Sequence, residues 1–173
     1  MYIFANVASA TNMMITFFKK IKIATAVVML FLASCTQTTL YENNSNIPSM
    51  QWKSNVAATG DFIINDTTSN YNLFIVIRHT DAYDYNNIWL NVGLQTPGVD
   101  SLQYQKVNVP LGADDTGWKG IGMNDIWEVR ALIARLPANQ LKKGSYKYSI
   151  YQIMRDNPLL HVMSVGLRIE KAP

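Results

Sequence analysis

Apolar side chains recur at every second position over much of this chain, and that period constrains its fold more than any other feature. Leu73, Ile75 and Ile77 alternate with Phe74, Val76 and Arg78, and Ile88, Leu90, Val92 and Leu94 alternate with Trp89, Asn91, Gly93 and Gln95. Successive side chains of a strand point to opposite faces, so each run presents one apolar face to a core. The weaker stretch Leu102 to Val109 reads as a third strand. After Gly144-Ser145, Tyr146, Tyr148 and Ile150 share a face; in the last run Met163, Val165, Leu167 and Ile169 oppose Ser164, Gly166, Arg168 and Glu170. Gln95-Thr96-Pro97-Gly98 is a turn signal, and Asn157-Pro158 predicts a turn joining the last two strands as a C-terminal hairpin. These patterns predict an all-β fold with at most one short helix: a single antiparallel β-sandwich, jelly-roll-like, over residues 51–173. Its core is expected to hold Leu73, Ile75, Ile77, Ile88, Leu90, Val92, Val165, Leu167 and Ile169.

Asp125 to Leu136 fits two periods. Ile126, Val129 and Ile133 lie at helical spacing behind an Asn124 or Asp125 that could cap a helix. Val129, Ala131 and Ile133 equally alternate. Local propensity favours a helix, but tertiary context overrides propensity readily, and the reading leans to a strand running into Pro137.

The N-terminal region follows different rules. Lys19, Lys20 and Lys22 precede Ile23 to Leu32, an apolar run of ten residues interrupted only by Thr25, and the run ends in Leu32-Ala33-Ser34-Cys35. A basic segment, a short apolar segment and small residues before a cut form a secretory signal. A lone cysteine at that cut makes it a bacterial lipoprotein signal, with Cys35 acylated as the mature N-terminus. The run is shorter than the roughly 20 residues of a membrane-spanning helix. Residues 1–34 are therefore expected to be a signal peptide, with a start nearer Met13 or Met14. Residues 35–50 would be the lipidated N-terminus and a flexible tether, since Thr36 to Met50 is rich in Asn, Ser and Thr.

Cleavage removes the charge argument for acidic partners. The whole chain carries 15 Lys+Arg against 12 Asp+Glu, and residues 1–34 hold three lysines and no acid. The mature chain has as many bases as acids, which leaves no case for nucleic acid or a polybasic membrane patch. The acylated Cys35 must itself hold the membrane, each buried methylene contributing about 0.8 kcal/mol. No second cysteine exists, so stability rests on packing rather than on a disulfide.

Nothing in the residues demonstrates an enzyme, a metal site or a cofactor. His79 and His161 are the two histidines, far apart and without ligand spacing. No phosphate loop, zinc-protease motif or nucleophile elbow is present. Asp114-Asp115 lacks the alternating acids of a calcium loop and reads as a turn.

Three local patterns remain: Arg78-His79 followed by Tyr83-Asp84-Tyr85-Asn86-Asn87; Gly117-Trp118-Lys119-Gly120-Ile121-Gly122-Met123-Asn124-Asp125; and Tyr151-Gln152-Ile153-Met154-Arg155. Together with the lipoprotein signal, their order resembles the gliding-motility lipoprotein family GldH of Bacteroidetes, over roughly residues 35 to 171. That family has an Arg-His strand end, a Tyr-x-Tyr-x-Asn loop, a Trp-x-Gly-x-Gly loop and a Gln-x-Met-Arg strand end. The chain departs from it at Leu111-Gly112-Ala113-Asp114, where the family pattern reads Leu-Ala-Asp at a different distance from the tryptophan. The resemblance implies a cell-envelope protein of the gliding and associated secretion machinery, with envelope proteins as partners and no catalytic residues to carry over.

Two classes of function follow. One is an accessory or structural envelope lipoprotein acting by protein-protein contact; the other is a carbohydrate-binding β-sandwich, which would need two or three aromatic rings exposed on one face. Thr36-Gln37-Thr38-Thr39 lacks the acids that commonly mark surface export in these bacteria, which favours a periplasm-facing domain. Candidate partner-contact residues are Trp118, Gly120 and Gly122, with the alternative that Trp118 folds inward and plugs the sandwich. Arg78 and Arg155 are structural candidates. Either both are solvated strand ends, or at least one guanidinium is partly buried on a loop acid such as Asp81 or Asp84, where lysine would substitute poorly.

Overall fold

The computed structural model describes residues 39–172. The signal peptide and Cys35 lie outside the described residues. Thirteen strands occur among them: β1 (Thr39–Asn46), β2 (Gln51–Trp52), β3 (Ala58–Ile64), β4 (Tyr71–Thr80), β5 (Asn87–Gln95), β6 (Gln103–Pro110), β7 (Gly112–Ala113), β8 (Gly117–Trp118), β9 (Ile121–Met123), β10 (Ile126–Leu136), β11 (Gly144–Gln152), β12 (Leu159–Leu160) and β13 (Val162–Lys171). Single 3-10 turns at Pro48–Met50 and Ala138–Gln140 are the helical elements among the described residues.

Eight of the strands are long, and they form two antiparallel sheets. One runs β1-β13-β4-β10, extended by β9; the other runs β3-β11-β5-β6. Counting only the long strands, the orders are 1-8-3-6 and 2-7-4-5, the double Greek key of a jelly roll. The expected all-β sandwich is therefore observed, and all nine expected core residues are buried. Tyr41 of β1 crosses to the second sheet, its ring 5.8 Å from Phe62 and 6.3 Å from Tyr148, while Phe62 stacks on Tyr146 at 5.1 Å.

Four sequence readings are settled or corrected by this topology. Asp125 to Leu136 is a strand: Asn124 adopts a positive φ of 56° in a two-residue turn that returns the chain as β10 against β4. The expected tether is corrected from Thr39 onward. Its polar composition hid an edge strand, which needs little apolar surface because its stabilisation comes from the backbone ladder to β13 and from Tyr41 and buried Ile47. The expected C-terminal hairpin is absent. β11 and β13 belong to different sheets, and the chain between them is a crossover in which β12 pairs with β2. Finally, a register shift between Val162 and Ser164 turns Val162 into the core in place of Met163.

Candidate functional site

Every connection between consecutive long strands except the β5–β6 hairpin crosses to the opposite sheet, and because the chain reverses at each one, alternate connections gather at the same end. Residues 47–57, 81–86, 111–125 and 153–161 connect strands at one end; 65–70, 96–102 and 137–143 connect them at the other. All three sequence patterns fall on the first end. Backbone hydrogen bonds tie their loops together: Leu111 and Gly112 donate to the Asn86 carbonyl, Asp81 to Asp125, Thr80 to His161 and Ile153 to Trp89.

His79 is fully buried beneath this end. Its Nδ1 lies 2.8 Å from the Thr80 carbonyl oxygen, which can only accept, so Nδ1 carries the proton. Nε2 is then an acceptor, with no hydrogen-bond partner among the described residues. Burial pushes the imidazole pKa down, opposed by the Thr80 carbonyl, and the ring is neutral at pH 7. Trp118 meets the imidazole edge-on at 4.6 Å, and Tyr83 lies 5.5 Å from it. The histidine serves as a floor for aromatic rings.

Tyr83 is buried and donates to the Asn87 carbonyl at 3.1 Å; burial drives its hydroxyl pKa well above the usual tyrosine value. Tyr85 packs edge-on to Tyr83 at 5.9 Å and donates to Asp156 Oδ2 at 2.6 Å. Trp118 is half-buried: it packs against the core and also lines an open hollow of about 290 Å³ together with Tyr83, Asp84, Tyr85, Asn86 and Asp114. It thus plugs the sandwich with one part of its ring system and faces solvent with another.

Behind Tyr85 lies a second hollow of about 310 Å³, lined by Tyr85, Trp89, Ile153, Met154 and Arg155. Its loop is organised by Gln152, 1% exposed, whose Nε2 donates to the Trp52 carbonyl at 3.2 Å and the Asp156 carbonyl at 3.1 Å while Oε1 accepts from Met154 N at 2.7 Å. All of its polar atoms are used, which is what a buried amide requires.

The other candidates stand apart from the first hollow. Gly120 has φ +88°, and a Cβ there would overlap the Glu128 carbonyl; in Gly122 it would strike the Trp127 ring. Both glycines let β9 lie close to β10 rather than shape the hollow. Arg78 projects from the outer face of the first sheet, half-exposed, and pairs with Glu128 on β10 at 2.6 Å instead of with Asp81 or Asp84. Glu128 also takes Arg130 at 2.7 Å. Arg155 is exposed at the second hollow. Sequence reasoning did not single out Tyr83, Tyr85, Asp84 or Gln152 as site residues, although the patterns contained them. Their shared location depends on strand order, which local patterns do not report.

Among the described residues no group of three His, Cys, Asp or Glu side chains could hold a metal ion. Comparison with known proteins adds an identity at the level of the family. The GldH lipoprotein family model matches residues 39–169, the span of the jelly roll. The gliding motility lipoprotein GldH of Flavobacterium johnsoniae is 31% identical over 157 residues, covering 84% of this chain and 92% of that one. A GldH homolog from Christiangramia forsetii is 30% identical over 155 residues, covering 83% and 91% respectively. With the family model spanning nearly every described strand, and relatives aligned over almost their whole length, the chain belongs to the GldH lipoprotein family.

Proposed function

We propose that this chain is a periplasm-facing accessory lipoprotein of the cell envelope, anchored through Cys35, that works without catalysis by binding proteins of the gliding and associated secretion machinery. The observation that carries the reading is the gathering of three distant sequence patterns into one open, aromatic end of the sandwich. The Flavobacterium johnsoniae relative bears the name gliding motility lipoprotein, and the role is carried over from it.

The strand order supports an orientation suited to that role. Thr39, where the chain arrives from Cys35, pairs with Glu170, and Tyr71 at the same end pairs with Lys171. The aromatic end lies at the far end of β4, ten residues and roughly 33 Å away. Cys35 precedes Thr39 by four residues, a reach of roughly 14 Å at most. A lipid there keeps the Thr39 end near the bilayer and lifts the aromatic end from it. The glycan-binding reading would rest on Trp89 and Tyr104, exposed on the second sheet's outer face, and the names of the relatives lend it no support.

The test is site-specific photo-crosslinking in intact cells. A crosslinker at Ala113, beside the hollow, should join envelope proteins, whereas one at Val99 on the opposite end should not. Trp118→Ala should abolish the Ala113 adduct. Equal adducts from both ends would refute the assignment of this surface. Cys35→Ser should leave uncleaved precursor or soluble protein; a wild-type chain of unmodified mass in the soluble fraction would end the anchoring claim.

A further inference from the structure

We propose that the hollow between the Tyr83–Tyr85 loop and Trp118 is a receptor for one cationic side chain, an arginine or lysine presented by the partner protein. The inference rests on the reading of this end as a protein-binding surface and adds the chemistry of what it grips.

Its lining includes the half-buried rings of Tyr85 and Trp118, set over the buried Tyr83, and the exposed carboxylates of Asp84 and Asp114. The faces of aromatic rings carry partial negative charge and attract a cation placed over them. The rings are already fixed. Tyr83 is tied through its hydroxyl to the Asn87 carbonyl, Tyr85 to Asp156, and Trp118 is seated on His79. A ligand entering the hollow therefore does not have to order its walls, which removes a common cost of binding.

The carboxylates give the hollow its sign. Asp84 and Asp114 are exposed, and neither forms an ion pair among the described residues. Asp66, at the opposite end, shows what an aspartate engaged by its own fold looks like: it accepts from Thr68 N, Thr68 Oγ1, Ser69 Oγ and Lys171 Nζ. Around the hollow the field is reinforced by Asp81, Asp115, Asp125 and Asp156, against Lys53, Lys119 and Arg155 in the same loops. With six acids against three bases, the loops disfavour an anionic ligand. A basic side chain would meet the Tyr85 and Trp118 rings along its methylenes and the Asp84 and Asp114 carboxylates at its head group, the pairing of aromatic and acidic groups that suits a cation. Two carboxylates without a third ligating side chain do not make a metal site.

The test uses the acylated protein in phosphatidylcholine nanodiscs, with its four tryptophans replaced by 5-fluorotryptophan and the Trp118 resonance assigned with Trp118→Phe. The probes are acetylated, amidated Gly-Ser-X-Ser-Gly peptides with X arginine, lysine, citrulline or glutamate. The Trp118 resonance should move saturably with the arginine or lysine peptide and stay still with citrulline and glutamate. The exposed double change Asp84→Asn, Asp114→Asn, with an unchanged melting temperature, should weaken binding about fivefold or more, equivalent to roughly 1 kcal/mol. No movement with either cationic peptide, or equal movement with citrulline, overturns the receptor. If crosslinking from Ala113 persists in that case, the surface still binds protein by other chemistry; loss of both removes the broader reading.

Discussion

Around Asp66, at the Thr39 end of the sandwich, the polar side chains are consumed by the fold, whereas beside the Tyr83–Tyr85 loop two carboxylates are left over. Asp66 spends its carboxylate on Thr68, Ser69 and Lys171, and Lys171 and the neighbouring hydrogen bonds hold its pKa well below the usual carboxylate range. Tyr71 donates to the Asp66 carbonyl, Tyr146 to the Lys142 carbonyl, and Asn70 caps Ala138. These contacts close short loops. Three of the four connections at the far end are longer and carry short strands, β2, β7–β9 and β12, and this end sets the Tyr85 and Trp118 rings beside open space with Asp84 and Asp114 unpaired among the described residues. Connections that only return the chain can be short and self-satisfied. Connections that present a surface must be held by their neighbours instead, which is what His79 and Gln152 do.

The largest expected effect concerns what both ends share. Leu90 is fully buried between the sheets. Leu90→Ala should cost about 2–5 kcal/mol in denaturant unfolding, with both ends lost in one transition. Separate transitions for the two ends would break the picture of a common core.

Next is the device that holds only the far end. Gln152→Leu leaves the Trp52 and Asp156 carbonyls and the Met154 amide without partners, at an expected cost of about 1–3 kcal/mol. Hydrogen exchange should accelerate in residues 153–157 and stay unchanged in 65–70. Equal acceleration at both ends would make Gln152 a general core residue.

The ends should also titrate in different windows. Burial depresses the His79 pKa, so as pH falls the unfolded chain takes up that proton first; the stabilisation is complete above about 6.5 and declines below it. Asp66 is also depressed, but from 3.8, so its contribution is complete above about 3.8 and disappears as pH falls further. Melting temperature against pH should therefore flatten between 7.5 and 5.5 in His79→Leu, and below roughly 4 in Asp66→Asn. A His79→Leu slope identical to wild type would show that the imidazole titrates freely.

The smallest effect belongs to neither end. Arg78→Lys on the outer face should cost at most about 1 kcal/mol, because its pair with Glu128 is half-exposed and lysine retains the charge. A loss beyond about 2 kcal/mol would indicate that the bonded fork is irreplaceable.

Strand faces were legible because alternation is local: Leu73, Ile75 and Ile77 declare their inward face within five residues. Legibility failed where stabilisation came from a distant partner. Thr39–Asn46 reads as polar tether because its ladder partner, β13, lies more than a hundred residues away. Asn157-Pro158 reads as a hairpin turn because no local pattern says that the next strand joins the other sheet. Arg78 could not reveal Glu128 as its acid, since that pairing is a matter of β4–β10 register.

By itself the amino-acid sequence determined the all-β class, the inward faces of its strands, the patterns shared with the GldH lipoprotein family and the expectation of a lipid on Cys35. Each depends on spacing within a short window, which physical chemistry reads one residue at a time. Only the tertiary structure decided that Tyr85 reaches Asp156, that Trp118 sits on His79, and that these loops share one end away from Thr39. Those facts follow from the order in which eight strands cross between two sheets, and that order is set by long-range backbone pairing and burial of the common core, which no short stretch of the chain contains.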